Sequence, residues 1–193
     1  MSALSSLRMD DLIVRIVSQR QVVHDTGGDE KMLSFFKKDK TGPIEAFAPI
    51  TGKAVDLSNV PDPAFADKLM GQGIAIEPHE GKVHAPFDGK IAQLFKTKHA
   101  MLIEHSSGIQ VLIHVGVDTV SLKGEGFTAH VATGDKIKQG QLLLEFDIAQ
   151  IQAAGYPVIT PFIVPDGQDA VKGVTEQLGD VIAGQQQVLT IQR

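Results

Sequence analysis

The sequence predicts an all-β protein, an antiparallel β-sandwich or barrel-like domain with a few short helices, and three observations carry that expectation. From residue 44 onward, short runs rich in Ile, Val, Leu and Phe recur at close, regular intervals. Turn residues such as Asp88-Gly89, Ser106-Ser107-Gly108 and Thr133-Gly134-Asp135 separate the runs. Hydrophobic residues make up 42% of the 193 and charged residues 21%, which suits one domain with a sizeable core and a tail.

The runs place strands at 44–48, 73–77, 82–85, 89–95, 100–104, 110–115, 119–122, 126–130, 142–146, 158–162 and 187–191. Two short helices are expected, at 63–70 and 148–153. Pro61-Asp62-Pro63 opens the first with an aspartate at the cap and a proline in the first turn. Residues 1–42 read as an N-terminal extension, amphipathic or disordered, ahead of a domain at 43–193. Within it Leu12, Ile13, Ile16 and Val17 recur at helical spacing, and residues 24–30 form a polar, Gly-containing linker. The string Met32-Leu33-Ser34-Phe35-Phe36-Lys37-Lys38 sets aromatics beside lysines, which permits peripheral contact with a membrane surface, although composition favours a frayed tail.

Composition removes several functions. A net charge of −5 without a clustered basic surface argues against nucleic acid. There is no cysteine, so disulfides and thiolate chemistry are excluded. No apolar run reaches membrane-spanning length and the start lacks a secretory pattern, so a cytoplasmic location is expected.

The seven histidines are the side chains that titrate near neutral pH. His24, His79, His84, His105 and His130 sit in polar or turn-like settings and read as solvated surface groups. His114 instead ends the apolar run Val111-Leu112-Ile113, on the strand face of Leu112 and Gly116. A polar ring there is either hydrogen-bonded structure or a working nucleophile. Gly116 favours the second, because it removes a side chain that would cover the ring and lets a bulky group approach. His99 is the second candidate. If 100–104 and 110–115 form a hairpin around Ser106-Ser107-Gly108, the start of one strand lies opposite the end of the other and the two imidazoles meet. Thr97 could then hold the tautomer of His99, and Asp118 could stabilise charge near His114.

Two imidazoles ringed by Phe65, Phe95, Met101 and Leu112 suit phosphoryl transfer, with His114 attacking phosphorus while His99 and backbone N–H groups steady the oxygens. A zinc hydrolase using His99, His114 and Asp118 is the first alternative, although no metal-ligand spacing is recognisable. The second is a biotin- or lipoate-type carrier, suggested by the turn-strand string from Gly134 to Leu143; such a domain presents its modified lysine at a hairpin tip, in biotin carriers usually beside a methionine, a neighbour that Lys136 and Lys138 lack. Gly71-Gln72-Gly73 and Gly124-Glu125-Gly126 lack the context of a phosphate loop and read as turns or bulges.

The string Val111-Leu112-Ile113-His114-Val115-Gly116-Val117-Asp118-Thr119-Val120, continued by Leu122-Lys123-Gly124-Glu125-Gly126-Phe127, resembles the active-site signature of the glucose-type enzyme IIA family of the bacterial sugar phosphotransferase system. The similarity runs upstream through Ala85-Pro86-Phe87-Asp88-Gly89, Gly71-Gln72-Gly73-Ile74-Ala75-Ile76, Val60-Pro61-Asp62 with Phe65-Ala66, and Ala48-Pro49-Ile50-Thr51-Gly52. Downstream it includes Glu145-Phe146-Asp147 and Thr160-Pro161, covering roughly residues 44–193. The resemblance implies an antiparallel β-sandwich that accepts a phosphoryl group from phospho-HPr on His114 and passes it to a cysteine of a IIB domain. It implies His99 as phosphoryl stabiliser, Thr97 as its orienter, Asp62 and Asp118 as acidic rim residues, and Phe65 and Phe95 as docking aromatics. Met101, Leu112 and Val115 stand where enteric relatives tend to carry phenylalanine, which implies an aliphatic-leaning docking surface. No tightly bound cofactor is expected. In some relatives the two histidines bind zinc at a regulated partner such as a kinase, so a regulatory zinc at His99 and His114 and regulated permeases or kinases are expectations of the same resemblance. Residues 32–38 look like the amphipathic start of freestanding members, which implies a true start at Met32 or a fusion remnant before it.

Overall fold

A computed structural model describes residues 42–193; the helix expected near residues 12–17 and the string 32–38 lie outside the described residues. The strands are β1 (Ile44–Phe47), β2 (Gly52–Asp56), β3 (Gly71–Pro78), β4 (Lys82–His84), β5 (Gly89–Leu94), β6 (Ala100–His105), β7 (Gln110–His114), β8 (Phe127–Ala129), β9 (Lys136–Ile137), β10 (Leu142–Phe146), β11 (Thr160–Pro165), β12 (Gly173–Glu176), β13 (Gly179–Val181) and β14 (Gln187–Gln192). Among the described residues, two short helices, α1 (Pro63–Ala66) and α2 (Ile148–Ala153), complete the regular structure together with 3-10 turns at Leu57–Asn59 and Thr119–Leu122.

Every strand pair is antiparallel. An eight-stranded sheet runs β13-β2-β3-β11-β7-β6-β5-β9, and two three-stranded sheets run β4-β10-β8 and β1-β14-β12. The main core fills the space between them, with Ile103, Val111, Ile113 and Phe162 from the large sheet meeting Leu144 and Phe146 of one small sheet and Ile44 and Leu189 of the other. The opposite face of the large sheet is covered as well. Ala75, Ala100, Leu102, Leu112 and Ile163 point there and pack under Leu57, Val60 and Phe65 of the segment between β2 and β3. The middle of the sheet is thus buried on both faces, which is why Val111-Leu112-Ile113 reads as continuous apolar sequence rather than as alternation. No helix among the described residues is long and apolar enough to cross a membrane.

Several elements differ from expectation for identifiable reasons. The helix expected over 63–70 stops at Ala66, because Lys68 adopts the left-handed conformation (φ 56°) and turns the chain into β3. The strand expected at 119–122 is a 3-10 turn flanked by left-handed Asp118 and Lys123, although its alternation of Val120 and Leu122 mimics a strand. The strand expected at 158–162 begins later and extends to Pro165, along β3. Gly71 and Gly73 are not turn residues but lie within β3, where a Cβ would strike the backbone carbonyls of Val164 and Phe162. Strands β2, β9, β12 and β13 were not expected.

Candidate functional site

The site grows out of the β6–β7 hairpin. Its register pairs Glu104 with Gln110 at the closed end and Ala100 with His114 at the open end, as the expected turn requires. The ladder continues one step further, with the Val115 N–H donating to the His99 carbonyl at 2.7 Å. His99 and His114 therefore meet edge to face, ring centroids 4.9 Å apart and planes at 83°. Each is 1% exposed. The Nε2 atoms of both are sealed from solvent.

Each ring has its Nδ1 committed. His114 Nδ1 lies 2.8 Å from the carbonyl oxygen of Gly116. A carbonyl only accepts, so in the neutral ring Nδ1 carries the hydrogen and Nε2 the lone pair. His99 Nδ1 lies 2.6 Å from Thr97 Oγ1, the contact anticipated from sequence. Phe95, Thr97 and His99 share the tight connection between β5 and β6, closed by Phe95 N–H donating to Ala100 O and Lys98 N–H to Phe95 O. Phe95 packs edge-on to His99 (5.9 Å) and Phe65 lies against His114 (5.4 Å). Helix α1 holds Phe65 there. Asp62 caps it, its Oδ1 accepting from the Ala64 N–H at 2.8 Å, and Pro63 occupies the first turn.

The structure divides the six residues expected on the docking surface. Phe95 is half-buried and Asp118 exposed, with no capping bond from its carboxylate. Asp62 is 7% exposed and Phe65 1%. Met101 and Leu112 are 1% and 0% exposed, and they face opposite sides of the sheet: Met101 is paired with Ile113 in the main core, while Leu112 lies beneath Phe65. Val115, at 1%, is equally enclosed. These three cannot set the character of an outer surface. Leu69, in the turn after α1, is 67% exposed, although the sequence pattern absorbs it into a longer helix.

Of the other histidines, His79 and His130 are exposed, His84 and His105 half-buried, and His24 lies outside the described residues. His130 pairs with Glu145 at 2.8 Å, and His105 Nδ1 accepts from the Ser107 N–H at 3.2 Å. Burial first, then the Arg193 guanidinium, holds His105 below its ordinary pKa against the opposing effect of Asp88. The alternative chemistries find no support. Among the described residues no three His, Cys, Asp or Glu side chains converge as a metal site. Lys136 lies in β9 paired to β5, and Lys138 is ion-paired to Asp88 at 2.7 Å, neither at a hairpin tip.

Fold and geometry together define an all-antiparallel β protein with a buried pair of imidazoles at the open end of its β6–β7 hairpin. The comparisons specify it further. A family model for the phosphoenolpyruvate-dependent sugar phosphotransferase system, EIIA 1, matches residues 44–170. The chain is similar to the "PTS system glucose-specific EIIA component" of Oceanobacillus iheyensis, 42% identical over 161 residues that span 83% of this chain and 98% of the relative. It is also similar to the solved structure described as glucose permease IIA from Mycoplasma capricolum, with a TM-score of 0.70, 31% identity, and coverage of 82% of this chain and 99% of the other. The chain belongs to the EIIA 1 family of the phosphoenolpyruvate-dependent sugar phosphotransferase system.

Proposed function

We propose that this phosphotransferase-system component carries its phosphoryl group on Nε2 of His114, taking it from phospho-HPr and delivering it to a IIB domain of a sugar permease. The observation that supports this most directly is the hydrogen bond from His114 Nδ1 to the Gly116 carbonyl, which presents the Nε2 lone pair for attack. In the forward step the Nε2 lone pair forms a bond to phosphorus, the bond between phosphorus and the donor carrier breaks, and its electron pair stays with the donor. The positive charge that develops on the His114 ring is met by the Gly116 carbonyl. His99 steadies the phosphoryl oxygens through an Nε2 N–H, which requires Thr97 to donate its hydroxyl proton to His99 Nδ1.

Because Nε2 of His114 is sealed in the free protein, transfer needs a local opening, and half-buried Phe95 is the neighbouring ring able to swing outward. Docking falls to Phe95, Leu69 and the rim carboxylate of Asp118, with glucose the sugar suggested by the relatives' names. No tightly bound cofactor is needed for such a step. For zinc, the histidine pair supplies two of the four ligands a tetrahedral site needs, so an ion at His99 and His114 requires the rest from a docked partner. The protein works in the cytoplasm, where its donor is made.

Intact-mass measurement after mixing the protein with phosphoenolpyruvate, enzyme I and HPr tests the proposal. Wild type and His99→Gln gain one phosphoryl group and His114→Ala gains none. A gain in His114→Ala, or none in wild type with donors active on a control enzyme IIA, overturns it.

A further inference from the structure

The buried polar side chains of the described domain are five: Asp62, His99, His114, Thr119 and Thr160. The two histidines and the Asp62 cap have stated roles. The threonines, each 0% exposed, do not, and both bond to the segment that follows His114.

That segment contains two consecutive peptide groups on either side of the Gly116 Cα. The second carries the Gly116 carbonyl that receives His114 Nδ1–H, and its other end, the Val117 N–H, donates to the Pro157 carbonyl at 3.0 Å. The first peptide is held by threonine hydroxyls at both ends. Thr119 Oγ1 donates to the Val115 carbonyl at 2.5 Å. The Gly116 N–H donates to Thr160 Oγ1 at 3.4 Å, and Thr160 passes its own proton to the Val158 carbonyl at 2.8 Å. Gly116 itself is left-handed (φ 71°) and has the backbone freedom to let either plane rotate. A rotation would withdraw the acceptor from Nδ1, and the proton would redistribute to Nε2, the atom that must carry a lone pair.

We infer that Thr119 and Thr160 are positioning residues for the transfer step, fixing the Val115–Gly116 peptide so that the Gly116 carbonyl holds His114 in its Nδ1–H tautomer. The inference rests on the proposed role of His114 as acceptor. Thr160 belongs to β11, whose Phe162 pairs with Ile113 of β7, so the central pairing of the large sheet sets the state of the nucleophile. Neither hydroxyl has reason to touch substrate, since both are enclosed behind the backbone they hold.

The test uses the full chain with Thr160→Val, Thr119→Val and the hydroxyl-retaining Thr160→Ser. Long-range proton–nitrogen NMR of the imidazoles reports the tautomer of His114, and single-turnover transfer from phospho-HPr reports rate and half-saturation separately. In wild type and Thr160→Ser, His114 is expected almost wholly as the Nδ1–H form. In the valine variants Nε2–H is expected to appear and the transfer rate to fall by about 10- to 100-fold, the usual scale for losing an orienting partner, with half-saturation within about twofold because the docking surface is untouched. An unchanged tautomer and rate in a folded valine variant overturns the inference, as does a loss in Thr160→Ser equal to that in Thr160→Val, which would make the effect one of packing. The tautomer readout needs no donor. If wild type accepts no phosphoryl group while the tautomer still responds, the functional proposal fails and the positioning role stands.

Discussion

Gly116→Ala gives the sharpest stability test, because the structure separates two costs. At φ 71° an alanine must adopt the left-handed conformation, which costs about 1–2 kcal/mol. Its Cβ would also lie 2.6 Å from Thr119 Cγ2 and 2.7 Å from the Pro157 carbonyl oxygen, and relieving such overpacking costs about 1–3 kcal/mol more. The sum, roughly 2–5 kcal/mol, is a large share of the ~5–15 kcal/mol that holds a typical domain folded. For a chain of this size it lowers Tm by about 4–20 °C. Gly134→Ala is the control, since Gly134 is also left-handed (φ 97°) but has nothing within 4 Å of the added Cβ, leaving the conformational cost alone. Urea unfolding followed by circular dichroism gives both values. Gly116→Ala is expected to be the less stable variant by about 1–3 kcal/mol, the crowding share. Equal losses in the two variants would refute the claim that Thr119 and Pro157 close tightly on Gly116.

Asp62→Ala removes the cap of α1 and should cost about 1 kcal/mol in urea unfolding, whereas Asp62→Asn, which still caps, should cost much less; equal losses would deny the cap its role. Phe162→Ala, at a fully buried ring, should cost about 3–5 kcal/mol by the same assay, and a loss below 1 kcal/mol would mean the core collapses around the gap. Leu69→Ser should leave stability within about 0.5 kcal/mol while raising the half-saturating concentration of phospho-HPr; unchanged transfer would remove Leu69 from the docking surface. His105 has a folded pKa below its unfolded value, so the folded state binds that proton more weakly. Its neutral form favours folding above the ordinary imidazole value of about 6.5, and that contribution is lost as pH falls through the lowered folded value. His105→Gln should therefore flatten the decline of the urea midpoint between about pH 7.5 and 5, and an unaltered slope would show another group to be responsible.

Much of this fold is legible because the central strands carry strong signals. The runs at Ala100–His105, Gln110–His114 and Leu142–Phe146 are apolar enough to announce themselves. The missed strands have no such signal. In β2, Gly52-Lys53-Ala54-Val55-Asp56, two of five residues are charged and one is glycine, and its conformation is imposed by β3 on one side and β13 on the other. β13, Gly179-Asp180-Val181, is an edge strand with a single apolar side chain. The opposite error at Thr119–Leu122 arises because alternation cannot distinguish a strand from a 3-10 turn when flanking Asp118 and Lys123 both turn left-handed.

At the site, local reasoning reaches as far as the hairpin and stops there. His99, His114 and Thr97 come together because a short turn sets the register, and register is written in the sequence. That same register corrects the expected place of Met101. Residues directly opposite one another share a face, Met101 pairs with Ile113, and Ile113 points into the main core, so Met101 cannot join Leu112 on the side of His114. The threonine brace shows the limit from the other direction. Thr160 lies 44 residues from Gly116 and meets it only through the pairing of β7 with β11, which no local pattern specifies. A carrier that must take up a phosphoryl group and release it again gains little from one strong interaction with it, since binding too tightly would stall delivery. What it needs is a nucleophile held in one tautomer and orientation by groups that do not themselves touch the cargo. In a buried site such groups must be drawn from the surrounding sheet, so the residues hardest to find from sequence are those on which the nucleophile's state depends.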